Sequence, residues 1–547
     1  MKKKRSTLLI LAAMATAASA QSVEYKILAE RDTTIKAEYS GFNFGTRDIH
    51  HILYEYPSKD PQGKTVTISG VVWVPKNIYD GTDPCDGVLL YNHYAHATSA
   101  ATPSVAGELG ANGFLASPLK PNYVLVMSDY VGFGSSADRP QAFLCGDVNA
   151  RNSLDGLVAA RQLMSDRQIP QGKYLFNLGY SIGGTEAMFA AKLCDKEYKQ
   201  KGITFTKTFS GGGPLDSEKM YSEMIEIQHN PYPVGIIMAL VALNENYQLG
   251  IEYQKMFREP LASHVKEWIL DKKYSATEIH NFITADSMKH FLQPEFLDLE
   301  SEAAQVITRK MKELSLMDDW EPDTLQNYFL LHGRHDDYVP IQAGRCIIPW
   351  MKQKGFTPSL IPGKTSLQTN TVVFKLDHNL MGAIWFIQTA AAIQLWPVVY
   401  YEGEQNRYFR AIVKNLNLMR VIQILEALGI DLRKSVGGQG SGSTNLFEVL
   451  TKFTDTLAKV NLTVTDLLEM LDDSGITTAD LMEAIAYFST KPDTDDDETT
   501  ASSARLMTLG DDMDSPAALL RHYEQTLAAW LMMGGINVEY NKWGWRK

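Results

Sequence analysis

Short apolar runs alternate with helix-forming segments over roughly the first 400 residues. Asp48 to Tyr56 and Lys64 to Val74 read as two strands of a hairpin, joined by the turn-rich Pro57-Ser58-Lys59-Asp60-Pro61-Gln62-Gly63. Gly87 to Asn92 is a short buried strand that runs into His93-Tyr94-Ala95-His96, and Tyr123 to Ser128 repeats the pattern before Asp129-Tyr130-Val131-Gly132-Phe133-Gly134. A helix is expected from about Ala150 to Met164, a strand from Lys173 to Leu178, a helix over Thr185 to Leu193 and a strand over Ile203 to Phe209. The alternation resumes with a strand at Tyr328 to Leu331, a helix near Ile341 to Gln353, a strand at Thr371 to Phe374 and a helix from about Gly382 to Leu395. Strands and helices at this spacing predict an α/β class domain, a mostly parallel sheet with helices on both faces. In such sheets the functional residues lie beyond the C-terminal ends of the strands.

Two regions break the alternation. From about Pro214 to Glu321 the strand signal vanishes, and segments such as Val234 to Leu243 and Leu261 to Leu270 read as helices. This predicts a helical insertion, either a cap over the site or a run of packing helices. Beyond residue 400 the chain is helix-rich, with linker-like stretches near 437–443 and 491–503. Asn445-Leu446-Phe447-Glu448-Val449-Leu450, Asp466-Leu467-Leu468-Glu469-Met470-Leu471 and Asp480-Leu481-Met482-Glu483-Ala484-Ile485 share one amphipathic pattern. Each such helix must bury one face, against this domain, a second copy or another partner. The expected organisation is a leader at 1–20, a catalytic-type domain at 21–400 with its helical insertion at 214–321, and a helical C-terminal region at 401–547.

Composition narrows the function class. With 45% hydrophobic and 21% charged residues the chain reads as globular, and its formal charge of −12 argues against nucleic acid as a partner. Lys2-Lys3-Lys4-Arg5, the apolar Leu8 to Ala15 and Ala18-Ser19-Ala20 form a signal-peptide pattern that would leave Gln21 first after cleavage. An exported protein, periplasmic or extracellular, is therefore expected. No later run is long and apolar enough to predict a membrane span. Export permits disulfides among Cys85, Cys145, Cys194 and Cys346. Cys194 and Cys346 fall in helical patterns and read as free core thiols, so Cys85 and Cys145 are the pair to expect if any is oxidised.

The chemistry gathers on Gly179-Tyr180-Ser181-Ile182-Gly183-Gly184. A G-x-S-x-G stretch between a buried strand and a helix is a turn that lifts a serine hydroxyl above the sheet edge. Such a serine needs a base, a group that orients the base and donors for the oxyanion, and in this context the chain order is Ser, acid, His. Asp336 follows the Tyr328 strand in Leu331-His332-Gly333-Arg334-His335-Asp336-Asp337-Tyr338-Val339-Pro340, with Asp337 as the alternative acid. His378 stands after the next strand and before a helix, and Asp377 beside it is not the expected orienter. The oxyanion donors would be the backbone N–H of Ile182 and that of Tyr94 or Ala95. His93-x-x-His96 has the look of a metal pair, yet no carboxylate or cysteine stands nearby at ligand spacing, so no metal is expected.

These motifs, with Ala150-Arg151 to Ala159-Ala160-Arg161 and Ser210-Gly211-Gly212-Gly213-Pro214, resemble the α/β-hydrolase superfamily, and within it the secreted lipase/esterase type. The resemblance covers about residues 45 to 400. It implies an α/β-hydrolase fold and ester hydrolysis through an acyl-serine, with Ser181 as nucleophile, Asp336 as orienting acid, His378 as base and no cofactor. A small-molecule or lipid-like ester is the implied substrate. One departure is His93-Tyr94, where the family commonly has His-Gly, which leaves the second oxyanion donor open. Two other classes share the observations: a serine peptidase or acyltransferase on the same scaffold, and an exported, non-catalytic binding protein that works through its C-terminal helices.

Overall fold

A computed structural model describes residues 23–399, apart from 40–41, 108, 117–120, 228–229, 285–286, 357, 360–366 and 373–376. The expected leader at 1–20, the linkers and the repeated helices of 401–547 lie outside the described residues. The strands are β1 (Lys26–Tyr39), β2 (Phe42–Lys59), β3 (Thr65–Pro75), β4 (Gly87–Asn92), β5 (Tyr123–Ser128), β6 (Tyr174–Tyr180), β7 (Lys207–Gly211), β8 (Tyr328–Gly333), β9 (Pro358–Ser359) and β10 (Leu367–Val372). They form one ten-stranded sheet in the order β1-β2-β3-β5-β4-β6-β7-β8-β10-β9. The pairs from β1 to β5 are antiparallel, and those from β5 through β4, β6, β7, β8 and β10 to β9 are parallel.

The central strands read as continuous apolar runs because both faces are covered. Successive side chains alternate between two cores: Val88, Leu90, Val124 and Val126 join one, while Leu89, Tyr91, Leu125 and Met127 join the other. Helices Val148–Asp166 and Ile182–Leu193 close the first face. Helices Leu109–Ala116 and His378–Val399 close the second. Register aligns the C-terminal ends: Asn92 pairs with Gly179, Tyr180 with Gly211, and Gly211 with Leu331. The loops that carry the candidate chemistry therefore leave the sheet side by side.

Several sequence expectations need correction. Strand β1 has no counterpart among them, because KILAERDTTIKAEY is a polar edge strand whose form comes from pairing with β2. The strand placed at Ile203 to Phe209 begins at Lys207 and runs to Gly211. The expected helix at Ile341 to Gln353 is two helices, Ile341–Arg345 and Ile347–Gln353, that meet at Cys346. All four cysteines are free, so Cys85 and Cys145 are not bonded to each other. Cys85 instead directs its thiol at the Gly87 carbonyl, 3.3 Å away.

The helical insertion is the connection between β7 and β8, so it rises from the end of the sheet where the candidate serine sits. Helix Pro233–Tyr247 is apolar all round and buried along Val234 to Leu243, as expected of a helix enclosed by others. Asn246 donates from Nδ2 to the Gln141 carbonyl at 2.9 Å, Tyr247 donates to the Cys145 carbonyl at 3.0 Å, and Lys272 Nζ donates to the Ala137 and Arg139 carbonyls. These bonds fasten the insertion to the segment 137–145 that follows β5.

On the opposite face Trp385, 1% exposed, fills the space over β7. A Cβ on Gly211 would stand 2.3 Å from its Cδ1, and the Phe114 and Tyr180 rings pack on the indole at 6.1 and 5.6 Å. Trp385→Ala should cost about 3–5 kcal/mol, read as a lowered thermal midpoint. Leu380→Ala, at a position 45% exposed on the same helix, should change stability by no more than about 0.5 kcal/mol.

Candidate active site

The turn after β6 has no room for side chains on either side of the serine. A Cβ on Gly179 would lie 2.1 Å from the Gly183 carbonyl oxygen, and a Cβ on Gly183 would lie 2.0 Å from that of Asn92. Between them Ser181 adopts φ 58° and ψ −131°, a sparsely populated conformation for a residue with a side chain. Its N–H donates to the Gly211 carbonyl at 2.7 Å, and its own carbonyl accepts from Gly184 at 2.8 Å and Thr185 at 3.3 Å. The strain is held by β7 on one side and the first turn of the helix on the other.

Asp336 and His378 come together from the loop after β8 and the start of the last described helix. Nδ1 of His378 lies 2.8 Å from Oδ2 and 3.0 Å from Oδ1 of Asp336, and both side chains are buried. Oδ1 also accepts the backbone N–H groups of Tyr338 at 3.0 Å and Val339 at 2.9 Å. Burial alone would raise the Asp336 pKa, but the charge and hydrogen bond of His378, His332 and the Val339 N–H outweigh it and hold the carboxyl below its ordinary value. Asp337, the alternative acid, accepts the backbone N–H of His378 at 2.9 Å and so fixes the loop rather than the ring. Asp377 accepts the N–H of Leu380 at 2.8 Å. The Nε2 atom of His378 is buried and has no hydrogen-bond partner among the described residues.

Two tyrosines seat the imidazole, and a third backs one of them. Tyr338 stacks on it with ring centroids 4.9 Å apart and planes 20° from parallel, and Tyr180 packs on it at 5.0 Å. The Tyr180 hydroxyl donates to the His378 carbonyl at 2.6 Å, so the residue next to Ser181 is bonded directly to the histidine segment. Tyr232, at the entry to helix Pro233–Tyr247, stacks in turn on Tyr338 at 5.0 Å and 14°. The helical insertion thus touches the histidine through one intervening ring. Tyr180, Tyr232 and Tyr338 stand on three separate segments that no periodic pattern in the sequence links.

Ile182 opens its helix, where backbone N–H groups lack intrahelical partners. It lines one small pocket with Tyr94 and Ala95, the two candidates for the second donor. His93 and His96 line the same pocket and stack face to face, centroids 4.3 Å apart and planes 7° from parallel. Burial pushes the His93 pKa down to about 4 and that of His96 well below its ordinary value, so both rings are neutral. Among the described residues no group of three or more His, Cys, Asp or Glu side chains is arranged to hold a metal.

This architecture has known counterparts. The esterase LipA of Xanthomonas oryzae, which degrades rice cell wall, superposes with a TM-score of 0.54 at 22% identity over 68% of this chain and 96% of that one. A Legionella pneumophila protein regarded as a hydrolase gives 0.55 at 17% identity over 67% and 97%. The chain has the α/β-hydrolase fold. No family model and no curated protein matches the sequence. Ser181 stands in the turn, or elbow, after β6, Asp336 in the loop after β8 and His378 in the segment after β10.

Glu186 lies one turn into the elbow helix and is 1% exposed. Its Oε1 accepts from Asn149 Nδ2 at 3.2 Å, and burial raises its pKa to about 8. The unfolded chain would release this proton near an ordinary glutamate value, so the folded state binds more protons between that value and about 8. Stability from this group is therefore full below the unfolded pKa and is lost as pH rises through the folded one. Glu186→Gln should leave the thermal midpoint nearly unchanged at pH 4.5 and raise it relative to the parent at pH 8.5. A constant difference across that range would contradict the protonated-carboxyl assignment.

Proposed function

We propose that the protein is a serine hydrolase of carboxylic esters, with Ser181 as nucleophile, His378 as general base and Asp336 as the group that orients it. The observation that carries this reading is the Asp336–His378 hydrogen bond at 2.8 Å, joined through Tyr180 to a serine at positive φ. The order Ser, Asp, His along the chain and the esterase neighbour of the same fold support it. Ser181 Oγ attacks the ester carbonyl carbon as His378 Nε2 takes its proton, while Asp336 holds the Nδ1–H and stabilises the imidazolium. The oxyanion is received by the N–H of Ile182 and that of Tyr94 or Ala95. Collapse breaks the ester C–O bond, the imidazolium protonates the leaving alcohol, and water activated by the same nitrogen releases the acid from Ser181. Export is part of the reading, supported by the basic, apolar and small-residue order of residues 1–20.

The account is tested with 4-nitrophenyl esters of increasing chain length beside aminoacyl and prolyl arylamides, on the parent and on Ser181→Ala. Ester turnover should dominate and vanish in the variant; dominant amide turnover would make the protein a peptidase instead. Asp336→Asn should lower kcat by about 10⁴-fold, because an imidazole without its acid takes the wrong tautomer. Near-normal activity in Asp336→Asn, with a large loss in Asp337→Asn, would move the acid by one residue.

A further inference from the structure

Four side chains around the small pocket beside Ile182 carry buried polar atoms that nothing in the mechanism uses. They are His93, His96, Gln141 and Asn149, exposed by 2%, 4%, 6% and 4%. Nε2 of His93, Nδ1 of His96, Nε2 of Gln141 and Oδ1 of Asn149 have no hydrogen-bond partner among the described residues. Leaving such an atom dry is costly, and buried polar atoms of folded proteins are nearly always paired with protein, water or ligand. Four of them on one pocket mark a place built to receive a polar group.

Their chemistry limits that group. Asn149 has a fixed orientation, since its Nδ2 donates to the Ala142 carbonyl at 2.9 Å and to Glu186. Its Oδ1 is therefore left as an acceptor, while Gln141 offers an amide donor. Burial keeps the His96 ring neutral, so neither a full negative nor a full positive charge would find a counter-ion there. A neutral group that both donates and accepts fits, and a hydroxyl is the smallest such group in esters. The pocket itself is small, with room on the order of a water molecule.

Position supplies the last constraint. Ile182, Tyr94 and Ala95, the candidate seats of the ester carbonyl oxygen, line the same pocket. A group that enters it must be covalently close to the carbonyl carbon. Resting on the serine-hydrolase reading above, we infer that His96, Gln141 and Asn149 form a hydroxyl-recognising subsite that selects short acyl groups hydroxylated at the second or third carbon.

Full-length protein should be assayed with 4-nitrophenyl 3-hydroxybutyrate and 4-nitrophenyl butyrate, each rate divided by its hydroxide-catalysed rate. The parent should favour the hydroxy ester at least about tenfold in kcat/KM, because a site built around a hydroxyl rejects the analogue that lacks it. Gln141→Met, which keeps the side-chain length and removes the amide, should bring that ratio near one, as should His96→Phe. Equal corrected turnover by the parent would overturn the subsite. A second measurement does not depend on catalysis: Ser181→Ala protein titrated with methyl 3-hydroxybutyrate or methyl butyrate and followed by ligand-observed NMR. The hydroxy ester should bind at least about tenfold more tightly, and equal binding would overturn the subsite. Absence of all ester turnover by the parent would refute the hydrolase reading, with the titration still deciding the subsite.

Discussion

Everything at the candidate site depends on backbone crowding where β4, β6 and the elbow helix meet. The carbonyl oxygens of Asn92 and Gly183 stand where Cβ atoms of residues 183 and 179 would be. Only glycine fits at both positions, and the chain can then turn within three residues from strand to helix. That turn forces Ser181 to positive φ, places the N–H of Ile182 at a helix start and fixes Tyr180. Strain of this kind persists only where surrounding structure over-determines it, and the hydrogen bonds that Ser181 donates to Gly211 and accepts from Gly184 and Thr185 supply that.

The histidine is held by a different means. The Asp336 carboxylate against its ring accepts two backbone N–H groups, its backbone N–H is tied to Asp337, and its carbonyl accepts from Tyr180. The ring itself lies against Tyr338 and Tyr180. Tyr232 stacks on Tyr338 from the start of a buried helix, so the insertion between β7 and β8 is joined to the His378 ring through one intervening tyrosine.

The sheet was legible where both faces are buried. Gly87 to Asn92, Tyr123 to Ser128 and Tyr328 to Leu331 are continuous apolar runs, and such runs have few alternatives. It was illegible at β1, where Lys26 to Tyr39 carries charges along an exposed edge and gains its form from β2. The Ser-Asp-His order could be read because each residue follows a recognisable strand. The choice between Asp336 and Asp337 could not, since adjacent loop carboxylates differ only in where the backbone aims them: one meets the ring, the other the N–H of His378. The tyrosine column joins residues 180, 232, 338 and 378, which no periodic pattern links. Likewise, the polar atoms of His96, Gln141 and Asn149 that lack partners among the described residues become visible only when the loop after β4, the loop after β5 and the helix Val148–Asp166 are brought to one pocket.

The central claim is that Ser181 is a nucleophile activated by His378. The direct measurement is reaction of the folded protein with a fluorophosphonate, followed by mass spectrometry of its peptides. The account predicts one phosphonyl adduct on the peptide containing Ser181, abolished in Ser181→Ala and strongly slowed in His378→Ala. An unmodified Ser181 peptide from folded, probe-treated protein, or an adduct that forms equally fast without His378, would contradict it.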